Sequence, residues 1–109
     1  MHPTKDLHAI YEAITTERMR QEELLSMGKF AATCATTGVG QMTEFECFSV
    51  LGEEVGEVSR ALLDRADVSQ VITELIQTAA VCVAWIERLS ANMVEPSERV
   101  EPAALQAKQ

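Results

Sequence analysis

Residues 71–89 read VITELIQTAAVCVAWIERL, and they place apolar side chains on nearly every side of the helix that their spacing predicts. A helix of this kind must be covered on several sides. Aromatic residues make up only 5% of the chain, so the core must consist mainly of Ala, Val, Leu, Ile and Met, a composition typical of packed helices. We therefore predict an all-α helical bundle that homo-oligomerisation completes, because a chain of 109 residues supplies too few helices to cover this one.

Two further helices are predicted before this segment. The first runs from about Thr4 to about Ala32, with a kink or a break at 15–18, and residues 33–42 form a loop rich in Thr and Gly. Thr43 then opens the second helix, in which apolar residues follow at alternating steps of three and four. That spacing indicates one apolar face: Phe48, Leu51, Val55, Val58 and Leu62.

The helix boundaries have recognisable capping residues. Glu46 stands three residues after Thr43, which predicts a capping box, and the second helix should end near 64–66. Asp67 is then expected to cap the third helix, which extends to about Asn92. Residues 94–109 are polar and broken by proline, so we predict a helical domain over 1–93 followed by a mobile tail.

Charge and composition narrow the classes of partner and compartment. The net charge is −8, which argues against nucleic acid or an anionic membrane as a partner. The polar N-terminus lacks an apolar signal region, and the longest apolar stretch, 78–86, is too short to span a bilayer, so we expect a soluble cytoplasmic protein. Cys34, Cys47 and Cys82 form no CxxC pair and are predicted to be free thiols, with Cys82 in the core.

Two clusters of acid interrupt the apolar helical sequence. The first spans 53–57 and contains Glu53, Glu54 and Glu57, and the second pairs Glu74 with Gln77. Residues three or four apart share a helix face, so antiparallel packing of the second and third helices would bring both clusters together. Carboxylate and amide oxygens are suitable ligands for Mg²⁺, and Mn²⁺ can replace it. Because bound Mg²⁺ commonly contacts substrate phosphates, the sequence predicts a phosphate-bearing substrate. Glutamates at this spacing are also common on solvated helix faces, which is the alternative explanation.

The two clusters and their surroundings resemble a known family. Residues 51–58, LGEEVGEV, and residues 74–87, ELIQTAAVCVAWIE, resemble the MazG-like all-α nucleoside triphosphate pyrophosphohydrolases, whose pattern is EExxE followed after a gap by ExxD. The resemblance implies a helical dimer or tetramer that uses Mg²⁺ to cleave a nucleoside triphosphate into monophosphate and pyrophosphate. It also implies roles for individual residues. Glu54, Glu57 and Glu74 match metal ligands, and Glu53 matches the first acid of the motif, which binds metal or positions the attacking water.

One position departs from the family pattern. Gln77 stands where the pattern has an aspartate, so the expected site carries one negative charge fewer and should bind Mg²⁺ more weakly. The alternative to a hydrolase is therefore a non-catalytic helical oligomer that binds nucleotide or a protein partner. Gln21, Lys29 and Arg60 are the candidate substrate-binding residues. Arg18, Arg20 and Arg65 are further candidates for phosphate, although most such cations pair along helices.

Overall fold

The computed structural model describes residues 3–93, which form three helices and contain no strand. Helix α1 spans Pro3–Ser26, α2 spans Glu44–Leu63 and α3 spans Val68–Met93. The all-α prediction is confirmed for this part of the chain. Helix α3 packs against both α1 and α2, whereas α1 and α2 make few direct contacts. The predicted mobile tail at 94–109 lies outside the described residues.

Helix α1 ends six residues earlier than the sequence predicts, because Gly28 terminates it. Gly28 adopts the left-handed conformation with φ of 77°, and its amide donates to the carbonyl of Leu25 at 3.0 Å. The amide of Lys29 donates to the carbonyl of Leu24 at 2.8 Å, which completes a Schellman motif. Of the predicted kink or break at 15–18, the break is absent, since α1 is continuous through these residues. The loop that follows is correspondingly longer and spans 27–43.

The predicted start of α2 is confirmed in atomic detail. The backbone amide of Glu46 donates to Oγ1 of Thr43 at 3.0 Å, and the Glu46 carboxylate accepts from the Thr43 amide at 2.8 Å. The turn after α2 closes at Arg65, a non-glycine residue with φ of 54°. Asp67 then caps α3 by accepting from the Gln70 amide at 3.0 Å.

The core lies where the 27–43 loop, α2 and α3 meet. Cys34, Cys47, Val81 and Ala84 are buried there, and Trp85 packs against them. The prediction that Cys82 belongs to the core is wrong, since this residue is only half-buried and the loop cysteine Cys34 fills the core instead.

The apolar face predicted on α2 is largely uncovered. Phe48, Val55 and Leu62 each expose more than half of their surface, whereas Cys47 and Ala61 are the buried residues of this helix. The reason is that α3 packs against the neighbouring side of α2. Helix α3 is also long and apolar enough to cross a membrane by length and composition, although core helices of soluble proteins pass the same test. The prediction that no segment is long enough to span a bilayer is therefore wrong for α3 by these two criteria.

Candidate functional site

A cleft of about 280 Å³ opens between the three helices and the 27–43 loop. Helices α1, α2 and α3 contribute its charged and amide side chains, and the loop adds mainly apolar ones. The lining residues are Glu17, Arg20, Gln21, Phe30, Ala32, Thr33, Cys34, Val50, Glu54, Gln77, Val81 and Ala84. Ligand-binding clefts in proteins commonly start at about this size.

Acids from all three helices gather around Glu54. Burial raises the pKa of the Glu54 carboxyl, and the negative charges of Glu74, Glu17, Glu57 and Glu53 raise that pKa further. Glu17 belongs to α1 and Glu74 to α3, so the repulsion comes from across the bundle as well as from the same helix. A carboxylate placed among like charges is stabilised by a bound cation, and the donors here are all oxygens.

Glu74 is the buried member of this group. It exposes only 8% of its surface, and its Oε2 accepts one hydrogen bond, from Nε2 of Gln70 at 3.2 Å. An amide donor carries no charge, so this bond satisfies part of the carboxylate without neutralising it. The acid that the sequence places inside an apolar helix is thus buried beside the cleft.

Helix α1 contributes a cation to the same cleft. Arg20 forms a two-pronged pair with Glu17, with Nε to Oε1 at 2.8 Å and Nη2 to Oε2 at 2.7 Å. This hydrogen bonding raises the pKa of Arg20, and the nearby charge of Glu54 contributes to the increase. Gln21 lies beside the pair and accepts from Arg18 through its Oε1 at 2.9 Å. Arg18 itself is buried in ion pairs with Glu22 and Glu87 and does not line the cleft.

The residues predicted from the sequence divide into three groups. Glu54, Gln77 and Gln21 line the cleft together. Glu74, Glu57 and Glu53 act on Glu54 through their charges, with Glu53 and Glu57 exposed to solvent. Lys29 and Arg60 do not line this cleft: Lys29 borders a separate groove with Glu46, and Arg60 is exposed in the last turn of α2.

The four acids that the sequence predicts at a metal site lie near one another but do not converge on a single position. They are Glu53, Glu54, Glu57 and Glu74. Within residues 3–93, no group of three or more His, Cys, Asp or Glu side chains is arranged closely enough to hold a metal ion in the single chain. The fit of the residues to a cation therefore rests on the chemistry of the donors and on the mutual repulsion around Glu54.

A buried arginine is bonded to Cys34, one of the loop residues that line the cleft. Arg88 exposes 1% of its surface and donates from Nη2 to Oε1 of Glu44 at 2.5 Å and from Nε to the carbonyl of Cys34 at 3.2 Å. Trp85 donates to the same Glu44 oxygen at 2.6 Å. Burial and contact with Cys47 raise the pKa of the Cys34 thiol to about 12, so this thiol stays protonated at neutral pH. Arg88 and Cys34 therefore support the wall of the cleft and do not supply a reactive group.

Sequence reasoning missed two contributors to the cleft. Glu17 was not among the predicted site residues, although its spacing of three and four to Arg20 and Gln21 indicates one shared helix face. The loop residues Phe30, Thr33 and Cys34 carry no local signal for a binding site, and only the tertiary fold brings them to the cleft.

No protein-family model, curated protein or solved structure matches the chain.

Proposed function

We propose that this chain is a Mg²⁺-dependent nucleoside triphosphate pyrophosphohydrolase of the MazG-like type, which releases a monophosphate and pyrophosphate. The proposal rests mainly on one observation: carboxylates from three helices surround the partly buried Glu54 at the edge of a cleft. The protein would act in the cytoplasm as a homodimer or homotetramer and would remove unwanted nucleotides from the pool.

The proposed ligands for the cation are Glu54, Glu57, Glu74 and Gln77, with Mn²⁺ able to replace Mg²⁺. When bound, the ion would neutralise phosphate oxygens and lower the pKa of a bound water. Glu74 is suited to hold its position because its side chain is buried and bonded to Gln70. Glu17 is a further acid that the cleft adds to the set predicted from the sequence.

The remaining side chains have roles that follow from their place around the cleft. Glu53 is exposed beside Glu54, and its carboxylate would accept a proton from the attacking water. Arg20 would exchange part of its pairing with Glu17 for phosphate oxygens of the substrate. Gln21 offers an amide at the cleft wall for a polar edge of the substrate. Lys29 and Arg60 would contact substrate only where it extends beyond the cleft.

A second candidate function is favoured by Gln77 itself. This neutral side chain lines the cleft at the place where the family pattern has an acid. A site with less negative charge binds Mg²⁺ more weakly, which is compatible with a helical oligomer that binds nucleotide or a protein partner without hydrolysis.

A panel of nucleoside triphosphates, incubated with the protein and Mg²⁺ and read by product, separates the two candidates. The hydrolase releases pyrophosphate and monophosphate, and Glu57→Gln or Glu74→Gln should lower the rate at least about 100-fold while helicity stays unchanged. Glu23→Gln is the matched control, since Glu23 is exposed on α1 and does not line the cleft. Nucleotide binding without pyrophosphate release would favour the second candidate, and activity that survives both substitutions would refute the proposed site.

A further inference from the structure

The outward side of α3 carries an apolar stripe that residues 3–93 leave largely uncovered. We define this outward stripe as Ile72, Leu75, Ala79, Cys82, Ile86 and Leu89. Its members follow one another at steps of three, four, three, four and three, which is the spacing of the seam between two helices in a coiled coil. Ile72, Leu75 and Ile86 each expose more than half of their surface, and Leu89 exposes 40%.

The outward stripe is free of charge along the whole helix. The charged residues of α3 are Glu74, Glu87 and Arg88. Glu74 and Arg88 are buried on the inner side, and Glu87 is bonded to Arg18 of α1. In a chain with a net charge of −8, this is a surface on which two copies could meet without bringing their acids together.

The order of side chains in the stripe is the same, by size, from either end. Two small residues, Ala79 and Cys82, stand at the centre. Leu75 and Ile86 flank them at equal distances along the helix, and Ile72 and Leu89 follow at equal distances beyond. Val68 and Met93, both more than half exposed, continue the same symmetry. A surface that matches its own reverse suits an isologous contact between two helices that run in opposite directions, because residues of similar size then face each other across the two-fold axis.

We propose that a second copy of this chain covers the outward stripe, with the two α3 helices antiparallel about a two-fold axis that passes between Ala79 and Cys82. Leu75 then packs against Ile86 of the partner subunit, and Ile72 packs against Leu89 of the partner subunit. The small central pair allows the two helices to approach closely at the axis.

Charge favours the antiparallel direction over the parallel one. The acids around Glu54 lie near the first turns of α3, through Glu74, and Arg88 lies near its other end. A parallel pair would bring the two acidic ends side by side. The antiparallel pair separates them and also opposes the two helix dipoles, which is the more favourable arrangement.

Helix α2 supplies the remaining contact area. Glu44 contacts Trp85 and Arg88 of α3, and Phe48, Val55 and Leu62 follow Glu44 along the same side of α2 at steps of four, seven and seven. By their exposed fractions, this row, the stripe and its end residues Val68 and Met93 form an apolar surface comparable with the roughly 800 Å² per partner that a standard interface buries. The two α2–α3 hairpins thus form a four-helix bundle.

This pairing gives the proposed homo-oligomer its contact face and is independent of the nucleotide chemistry, so either can fail without the other. The test uses Leu75→Lys and Ile86→Glu in separate full-length chains, one of them labelled with ¹⁵N. Each variant alone buries an unpaired charge twice in the dimer, and its dimer dissociation constant should rise about 100-fold or more. An equal mixture should regain the dimer, because the new Lys then faces the new Glu across the pair.

Sedimentation and native mass spectrometry read these outcomes. We expect the unsubstituted chain to form a dimer, twice the 12.0 kDa of one copy, and the mixture to form a dimer with one labelled and one unlabelled chain. A monomeric unsubstituted chain, single variants that remain dimeric, or a mixture that stays monomeric would each overturn the proposal. So would insertion of the unsubstituted chain as a monomer into phosphatidylcholine vesicles. Circular dichroism of each variant verifies that the helices are retained.

A disulfide test needs no buried charge. Ala79→Cys places a thiol opposite Cys82 of the partner subunit, so mild oxidation should give a covalent dimer whose linked peptide joins positions 79 and 82. Thr73→Cys is the control, because Thr73 is exposed on α3 but lies outside the stripe. Failure of Ala79→Cys to cross-link, or equal cross-linking by the control, would count against the antiparallel pair.

Discussion

At one end of the inner side of α3 the chain compensates a buried charge, and at the other end it does not. At one end Arg88 is buried, and Glu44, the carbonyl of Cys34 and the thiol of Cys47 all accept hydrogen bonds from it. At the other end the pKa of Glu54 is raised by burial and by surrounding carboxylates, while the nearby cation, Arg20, is already paired with Glu17. The first arrangement stabilises the fold from within the chain. The second carries an acidic excess that an external cation would relieve.

Removal of the buried arginine should have the largest effect. Arg88→Met keeps much of the volume but removes the donor to the Cys34 carbonyl and the ion pair with Glu44. We expect the free energy of unfolding, measured by urea denaturation, to fall by about 2–4 kcal/mol.

The matched control for that substitution is Arg60→Met, which removes an exposed arginine from α2 and should change stability by less than about 0.5 kcal/mol. If both substitutions have equally small effects, Arg88 is not the structural cation of the core.

The contrast between the two ends was only partly predictable from the sequence. The acids on α2 and α3 and the cap at Thr43 and Glu46 have local spacing signals, and the structure brings Glu54 and Glu74 near each other as that spacing predicts. The burial of Arg88 has no such signal. Its partners, Glu44 and Cys34, are distant in sequence, and only the packing of the loop and α2 against α3 brings them together.

The apolar spacing on α2 predicts a helix face but does not predict what covers that face. Phe48, Val55 and Leu62 are spaced as one helix face, but spacing alone does not say whether the chain or a second copy covers that face. The early end of α1 was readable in principle, because glycine favours the left-handed conformation that Gly28 adopts. Glu17 was harder to predict, because its contribution depends on where α1 packs.

Added charge at the acidic end should strengthen cation binding. Gln77→Asp places an acid at the wall of the cleft, beside Glu54. We expect the dissociation constant for Mg²⁺, measured by calorimetry without nucleotide, to fall about ten-fold, which corresponds to about 1.4 kcal/mol.

Asn92→Asp is the comparison for that substitution, because it adds the same charge to α3 on an exposed residue outside the cleft. Weaker or unchanged Mg²⁺ binding in Gln77→Asp, or an equal gain in Asn92→Asp, would show that the cleft does not hold the ion.

The smallest predicted effect is a gain in stability from Glu54→Gln, whereas Arg88→Met should lower stability. Glu54→Gln removes a carboxyl whose pKa is raised in the folded protein above the unfolded value of 4.5, first by burial and then by its acidic neighbours. The folded state therefore binds this proton more tightly than the unfolded state, and the carboxyl costs stability once pH rises through its folded pKa. The metal-free variant should melt about 2–4 °C higher than the unsubstituted protein at pH 7, and the difference should shrink toward zero near pH 4.

Glu23→Gln changes the net charge equally and should show no such trend. Saturating Mg²⁺ should stabilise the unsubstituted protein more than Glu54→Gln, because the cation then compensates the charge that the variant lacks. A variant that is less stable at pH 7 without metal would mean that Glu54 is compensated within the chain, as Arg88 is, and the contrast between the two ends would disappear.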